Sequence, residues 1–505
     1  MDKIGSQPSL GSQFIQSAAK QTLEQMDAKP APMYHITRSE QSAWEVFSKA
    51  VDEKGTDSER KLMEYANKAS ANPANASNRY GGTDSLSEFA RKGVYVATLQ
   101  NMAAGLSGTL SKCIAQVALD SYKNASACGH GEINKVFSQG IIETGTPSEK
   151  AAMSVLNSAY DKESDLEKSS NAVNSVQLSF MKDVTTGAVE KPLKEYLLEK
   201  ATSNDEANHI LGQAVAEKLA TVTSGSEKAV LETAQKSFEG NKLGKPYGYT
   251  AKLIEYITMK DVKESKETDA SKRLASLGGT VLNDAAVDNY YFNGFVADEA
   301  YLGKGLASKG DMGARMQGLT AAPAYMASIA ENSSNTKEKV LAKALTDTFN
   351  IAQNQDIKQS RAFLNSSWET FDYGFKTIEN GTNGPIENHL AACGAAFMGG
   401  ARQAAPKMAV EIAQPLLQAI ANNADNPKNA AIAKEALSIE TSVGKAIKST
   451  FFIGESNKEY KIRQYTEAFK KILENVDSDN LGTPNGTNQT DVSLRAKLIN
   501  NTVPK

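Results

Sequence analysis

A stretch of nineteen residues without a formal charge, residues 93–111, restricts more than any other feature how this chain can fold. Such a stretch is long enough to cross a bilayer as a helix, so a membrane span is the first interpretation to test. Its composition argues against a span, because lipid cannot satisfy side-chain hydroxyl and carboxamide groups. Six such residues occur in it: Thr98, Gln100, Asn101, Ser107, Thr109 and Ser111. The sequence predicts a buried central helix over residues 93–119, approached closely by neighbours at small residues such as Gly93, and no transmembrane helix.

Helix start signals recur along the chain. Five segments have the spacing of a capping box, in which a Ser or Thr oxygen accepts from the third helical amide and a Glu reaches back. These pairs are Thr37 and Glu40, Thr56 and Glu59, Thr146 and Glu149, Ser203 and Glu206, and Ser456 and Glu459. Apolar residues at helical spacing follow, and no comparable run alternates with the period of a strand. The sequence therefore predicts an all-α, multi-helix globular bundle of roughly 15–20 helices, with mobile N- and C-terminal tails.

Clusters of Gly, Pro and Asn divide the predicted helices into domains. We expect a flexible leader at 1–34, an N-terminal helical domain at 35–240, a connector at 241–272, a C-terminal helical domain at 273–476 and a polar flexible tail at 477–505. A second stretch of low charge, residues 389–405, contains Arg402 as its one formal charge and is predicted to form the centre of the C-terminal domain. No internal repeat of fixed length is visible, so the sequence gives no support to a repeat architecture.

Charge and cysteine content exclude several classes of protein. The net charge of −3 comes without a dominant basic run, which argues against a nucleic-acid binder. Three cysteines are too few to stabilise a chain of 505 residues by disulfide bonds, so a disulfide-dependent extracellular fold is disfavoured. The N-terminus shows no pattern of a cleaved signal peptide. These features predict folding in the cytosol, followed by any export through a route without a cleaved leader.

Two small groups of residues have the types needed for catalysis or metal binding. His389 and Cys393 lie four apart and would share a helix face, an arrangement from which an imidazole could activate a thiol. Cys128, His130 and Glu132 alternate in a Gly-containing segment, but no second half with zinc-ligand spacing is visible. The sequence therefore predicts no metal and no cofactor, and it leaves His389 and Cys393 as catalytic candidates.

A basic, glycine-rich segment at 303–318 is the best candidate for a functional loop. Its glycines would let backbone amides approach an anion, and Lys304, Lys309 and Arg315 would supply positive charge. The segment does not match the phosphate-loop pattern. Gly313-Ala-Arg315 is faintly similar to the arginine loop of bacterial GTPase-activating domains, over fewer than ten residues. That resemblance implies that Arg315 or Arg402 would neutralise charge on a transferring phosphoryl group.

The composition of the leader leads to a hypothesis about function. Residues 1–34 are rich in Ser, Gln and Ala and end in Pro30-Ala-Pro32, which resembles the uncleaved signal of type III secreted effectors of Gram-negative bacteria. The resemblance implies a virulence-type protein that is injected into a host cell and binds a protein or a membrane-associated target there. Membrane association would use residues 93–119. The alternatives are an enzyme or GTPase-regulating factor acting through 303–318, and a virion or assembly component.

Overall fold

The computed structural model of the protein describes residues 10–26, 36–71, 83–124, 131–162, 171–202, 212–239, 249–265, 269–287, 311–353, 361–404, 406–446 and 457–475. Twenty α-helices and one short 3-10 helix make up these residues, and no β-strand occurs among them. The all-α prediction is confirmed. The described part of the chain divides by its internal packing into two compact units, which lie within Met1–Lys218 and Leu219–Lys505.

The first unit contains nine complete α-helices. They are α1 (Leu10–Gln25), α2 (Arg38–Lys54), α3 (Asp57–Ala71), α4 (Thr83–Ala104), α5 (Leu110–Lys123), α6 (Gly131–Thr144), α7 (Pro147–Lys162), α8 (Asn171–Thr186) and α9 (Leu193–Ala201). The 3-10 helix Ala188–Glu190 lies between α8 and α9. Helix α10 (Gly212–Val222) contains the division between the units.

The second unit contains ten further helices. They are α11 (Gly225–Glu239), α12 (Tyr249–Glu264), α13 (Ala270–Val287), α14 (Asp311–Asn332), α15 (Thr336–Gln353), α16 (Arg361–Asn380), α17 (Ile386–Ala404), α18 (Pro406–Asn423), α19 (Pro427–Ala446) and α20 (Asn457–Glu474). The division between the units comes earlier in the chain than the predicted connector at 241–272. Part of that segment forms α12, which packs on α11 and α13.

A regular packing pattern recurs within each unit. Most consecutive helices pack on each other as hairpins, and most odd-numbered helices also pack on the helix three places later. In the first unit α1 packs on α4, α3 on α6 and α5 on α8. In the second unit α11 packs on α14, α13 on α16, α15 on α18 and α17 on α20. Both units are therefore built by adding similar helical hairpins, an arrangement that the sequence did not predict.

Three predicted capping boxes are present, and their glutamates do more than cap. Thr37, Thr56 and Thr146 each donate their backbone N–H to the predicted glutamate, at 2.7, 2.7 and 2.8 Å. The boxes predicted at Ser203 and Ser456 fall outside the described residues. Buried glutamates at helix starts also accept a serine hydroxyl from the helix two places earlier. Three such pairs are Ser12 to Glu59 (3.0 Å), Ser111 to Glu149 (2.9 Å) and Ser271 to Glu338 (2.9 Å).

In the second unit these contacts continue as a row of polar links, which we call the polar row. Its members join the N-terminal ends of α11, α13, α15, α17 and α19. The links are Arg273 to Ser226, Ser271 to Glu338, Asn335 to Thr382, and Glu387 to Asn429. Glu387 is fully buried and also accepts the backbone N–H groups of Asp425 and Asn426, both at 3.0 Å. The polar row thus satisfies helix-end groups through tertiary contacts.

The stretch at 93–119, which carries no formal charge as far as Ser111, is not one helix. Its chain leaves α4 after Ala104 and enters α5 at Leu110. Gly105 and Gly108 have φ of 81° and 90°, a left-handed conformation that favours glycine and ends the helix. Thr109 then caps α5. The single-helix prediction is therefore wrong. Residues 93–99 of α4 and most of residues 111–118 of α5 are buried as predicted, whereas residues 107–109 between the two helices are exposed. Among the described residues, no helix combines the length and apolar character needed to cross a membrane.

The leader that the sequence predicts to be mobile contains a packed helix. Helix α1 packs on α2 and α4. Ile15 and Ala19 are completely buried, and Met26 is nearly so. Ser12 fastens α1 to Glu59. Because an amphipathic helix gains stability chiefly by burying its apolar face, these contacts explain why residues 10–26 belong to the folded body.

Candidate functional site

The basic segment at 303–318 is only partly described. Lys304 and Lys309 lie outside the described residues, and so does the first part of the predicted loop. The second part is helical, because α14 begins at Asp311. Arg315 therefore lies in the first turns of a helix rather than in a loop, which corrects that part of the prediction. Arg402 lies near the end of α17. The predicted anion or partner site at Lys304, Lys309 and Arg315 stays a prediction.

His389 has hydrogen-bond partners at both ring nitrogens. Its Nε2 lies 3.1 Å from the backbone oxygen of Asn383, and its Nδ1 lies 3.3 Å from the hydroxyl of Tyr373. A carbonyl oxygen can only accept, so Nε2 donates to Asn383. In the neutral imidazole, Nδ1 then accepts from the hydroxyl of Tyr373. The imidazole thus joins the end of α16 and the following turn to α17. These two hydrogen bonds hold the imidazole ring next to Asn383 and Tyr373.

Cys393 lies one turn further along α17 in a very different environment. Its side chain has no exposed surface. Burial raises the pKa of this thiol far above its ordinary value. A nucleophilic cysteine needs the opposite, a lowered pKa and access to solvent, because the thiolate is the reactive form. The geometry at α17 supports packing of Cys393 and gives no support to thiolate chemistry.

A buried ionic cluster lies in the second unit, and the sequence analysis missed it. The guanidinium group of Arg273, on α13, is 2% exposed. It donates from Nη1 to Ser226 Oγ and from Nη2 to Asp261 Oδ2, both at 2.9 Å. Burial raises the pKa of Asp261, although the charge and hydrogen bond of Arg273 oppose that shift. A buried arginine requires such a partner, so this pair ties α11, α12 and α13 together.

Three donors beside this pair have no hydrogen-bond partner among the residues described. They are Arg273 Nε, Thr258 Oγ1 and the hydroxyl of Tyr325. Thr258 and Asp261 lie close enough to the Tyr325 hydroxyl to affect its pKa, which burial raises. The residues of this ionic cluster come from α11, α12, α13 and α14, and their separations along the sequence match no motif. Chemically, the cluster can donate hydrogen bonds to an oxygen acceptor such as an ordered water molecule.

A metal centre is not supported by the residues that the structure places. Within them, no group of three or more His, Cys, Asp or Glu side chains converges on one point. Cys128 and His130 lie outside the described residues, and Glu132 lies at the start of α6. The alternating set of possible ligands predicted from the sequence is therefore untested as a set.

Relatives give no further guidance about the site. Comparisons with family models, with curated proteins and with solved structures find no match to this chain. Its function is therefore argued from its own residues and packing.

Proposed function

We propose that this protein is a non-catalytic helical scaffold of the secreted-effector type, which acts by binding a protein of a recipient cell. The observation that carries the proposal is the repeated hairpin packing in each unit, fastened in the second unit by the polar row. Stacked helical hairpins create extended surfaces that such proteins use to hold partners. Function in such a scaffold depends on the outer helix faces rather than on a reactive cleft.

The buried residues of the two stretches of low charge also support this proposal. In α4, Val94, Ala97 and Leu99 have no exposed surface, and in α17 Leu390 and Phe397 have none. These segments serve as interior supports, so partner binding falls to other surfaces. We assign the partner to the basic segment with Lys304, Lys309 and Arg315. Lys304 and Lys309 precede α14 in the sequence and Arg315 lies in its first turns, and the positive charge of this segment would favour an acidic partner surface.

Export is the second half of the proposal and rests on the leader. Residues 1–34 have the Ser-, Gln- and Ala-rich composition described above, which resembles uncleaved secretion signals. Folding in the bacterial cytoplasm would precede transfer to the recipient cell. The partner is then a host protein or a membrane-associated target.

A charge-reversal experiment tests the partner site. The full chain and the variant Lys304→Glu, Lys309→Glu, Arg315→Glu are used as baits in recipient-cell lysate. The matched control reverses three exposed lysines on the second unit: Lys428→Glu, Lys434→Glu and Lys471→Glu. We expect one protein to be recovered in stoichiometric amount by the wild type and the control. Its Kd, measured with purified components, should be at least about tenfold weaker for the first variant.

Two results would contradict the proposal in different ways. Equal affinity of the wild type and the Lys304, Lys309, Arg315 variant would remove the basic segment as the partner site. Catalytic turnover of the recovered protein, or of its bound nucleotide, by substoichiometric amounts of the purified chain would remove the non-catalytic assignment. Replacement of Arg315 by Ala separates the second case, because a GTPase-regulating arginine would lose its activity without losing the complex.

A further inference from the structure

Two Asn-Gly pairs lie in the turn that joins α16 to α17. They are Asn380-Gly381 and Asn383-Gly384, and both asparagines are exposed. Asparagine is chemically labile, and most so before glycine, because no Cβ shields the backbone nitrogen that follows it. Both glycines have a positive φ, 92° and 96°, so the shape of the turn itself requires glycine at these positions. The fold thus keeps two labile asparagines side by side at its surface.

The reaction open to such a pair converts asparagine to aspartate. The backbone nitrogen of the glycine gives up its proton to solvent and attacks Cγ of the asparagine. A bond forms between that nitrogen and Cγ, the bond from Cγ to Nδ2 breaks, and Nδ2 takes up a proton and leaves as ammonia. Water then opens the cyclic imide at either carbonyl, which yields aspartate or isoaspartate. Groups that stabilise negative charge on the Asn-Gly peptide bond therefore accelerate the first step.

The structure distinguishes the two pairs by the state of the glycine nitrogen. Asn380 is the last residue of α16, and the N–H of Gly381 donates to the carbonyl oxygen of Ile378 at 3.2 Å. The N–H of Gly384 has no hydrogen bond to any residue that the structure describes, and the space beside its Cα is open. An amide that is already bonded must first give up its acceptor, so Gly384 is the more reactive of the two glycines.

Two side chains donate hydrogen bonds to the backbone around this glycine. His389 donates from Nε2 to the backbone oxygen of Asn383 at 3.1 Å, and this oxygen belongs to the Asn383–Gly384 peptide bond. Negative charge on the deprotonated Gly384 nitrogen is shared with the same oxygen, so the imidazole N–H stabilises the reactive anion. Lys337 donates to the Gly384 oxygen at 2.8 Å, but it also pairs with Asp425 at 2.9 Å, which offsets part of its charge.

We propose that Asn383 is a self-modification site, at which His389 promotes cyclisation with Gly384 and conversion to aspartate or isoaspartate. The product places a new negative charge on the turn that His389 and Lys337 contact. Isoaspartate also adds one carbon to the main chain between α16 and α17. The turn therefore changes with time from an uncharged Asn-Gly pair to a charged one. This inference is independent of the proposed partner binding.

The first test compares the folded and the unfolded wild-type chain and needs no substitution. The full chain is incubated at mildly alkaline pH, with and without urea. Peptide mass spectrometry with fragmentation follows the conversion of Asn380 and Asn383 separately. In urea both asparagines precede glycine in an unfolded chain, so their rates should be similar. In the folded protein Asn383 should react about fivefold faster than in urea, the effect of one added hydrogen bond, and Asn380 should react more slowly than in urea.

Removal of the imidazole donor tests the role of His389. His389→Phe keeps an aromatic ring but cannot donate to the Asn383 oxygen, so the rate at Asn383 in the folded protein should fall about fivefold. The rate in urea should not change, because the contact exists only in the fold. Gln418→Ala, at an exposed position of α18, is the control and should react as the wild type does. The rate at Asn380 in each variant reports whether the turn is still folded.

Three outcomes would overturn the proposal. A slower reaction of Asn383 in the folded protein than in urea would mean that the turn protects this asparagine. Equal rates at Asn380 and Asn383 in the folded protein would mean that the fold does not select between them. An unchanged rate at Asn383 in a folded His389→Phe variant would remove the imidazole from the reaction. If that variant opens the turn, the rate at Asn380 rises to its value in urea, and the wild-type comparison decides.

Discussion

Single glutamates at helix starts have two functions in this protein, and only one of them can be read from local sequence. Glu149 closes a capping box with Thr146, which the spacing of the two residues predicts. It also accepts the buried hydroxyl of Ser111 from α5, which no local pattern predicts. The same residue therefore fixes a helix end and fastens one hairpin to another.

Replacement of Glu149 should cost more than the loss of a cap alone. Glu149→Ala removes the side-chain half of the capping box and leaves the Ser111 hydroxyl unpaired in the core. We expect a loss of about 2–4 kcal/mol in the free energy of unfolding. Urea unfolding measures it, with Lys150→Ala at the adjacent exposed position as control. A loss equal to that of the control would show that the Ser111 contact does not stabilise the fold.

Glu40 should make stability depend on pH. Burial favours the neutral carboxyl, but hydrogen bonds from Thr37 and Lys92 outweigh it, and the pKa of Glu40 is lowered in the folded protein. A lowered folded pKa contributes stability that is present above the unfolded carboxyl value and is lost as the pH falls through the folded value. The stability advantage of the wild type over Glu40→Gln should therefore shrink as the pH falls below about 4. Urea titrations at several pH values measure this difference, and a constant difference would contradict it.

Cys393 should resist thiol reagents while the protein is folded. Its burial raises its pKa and keeps reagents away from the sulfur. Mass spectrometry after iodoacetamide treatment should find Cys393 unmodified in the native protein and modified in urea. Cys393→Ala serves as the assignment control. Modification of native Cys393 as fast as that of a free thiol would restore it as a nucleophile candidate.

The helices could be predicted from the sequence, whereas the pairs of helices that pack on each other could not. Capping boxes and helical periodicity are local, so they predicted the starts of α2, α3 and α7 and the all-α class. The break between α4 and α5 depends on Gly105 and Gly108 adopting positive φ, a choice that tertiary packing makes. The recurring serine–glutamate links were invisible because their separations differ: 47, 38 and 67 residues. A search for a fixed repeat length therefore finds nothing.

Two adjacent glycines of α13 provide a direct test of helix packing. A Cβ at Gly278 would lie 2.5 Å from the ring of Phe375 on α16, a clash, whereas a Cβ at Gly279 would lie 3.6 Å from Phe375 Cβ, an ordinary contact. Gly278→Ala should thus destabilise the protein by about 1–3 kcal/mol. Gly279→Ala should stabilise it by up to about 1 kcal/mol, because alanine favours the helix more than glycine.

Thermal or urea unfolding of the two variants measures these opposite shifts. Each variant serves as the control for the other, since the chemical change is identical and the two positions are adjacent. Destabilisation by both substitutions would mean that α13 and α16 tolerate no added volume at this level. Equal tolerance would contradict the close approach of the two helices.

Candidate sites were less predictable than helices because a site depends on burial and on convergence of distant residues. The spacing of His389 and Cys393 correctly placed them on one helix, but spacing does not reveal that the face around Cys393 is sealed. Arg273 finds Ser226 and Asp261 on two other helices, without any motif.

The packed state of α1 changes how the export hypothesis can be tested on the complete chain. Deleting residues 2–34 would remove Ile15, Ala19 and Met26 from the core, together with the Ser12–Glu59 contact. Full burial of a large aliphatic side chain is worth about 2 kcal/mol, so this deletion should lower the free energy of unfolding by several kcal/mol. Loss of export by the deletion would then have two explanations, a missing signal and a damaged fold.

Substitutions on the exposed face of α1 separate these explanations. Ser17→Ala, Lys20→Ala and Glu24→Ala change exposed positions of the leader and should leave the thermal midpoint unchanged. Ile15→Ala keeps the exposed face and should destabilise by about 2–4 kcal/mol. If residues 1–34 carry an export signal, the exposed-face variant should lower secretion in a reporter assay although its fold is intact. Secretion that falls only with Ile15→Ala would assign α1 to the folded body and remove the leader's support for export.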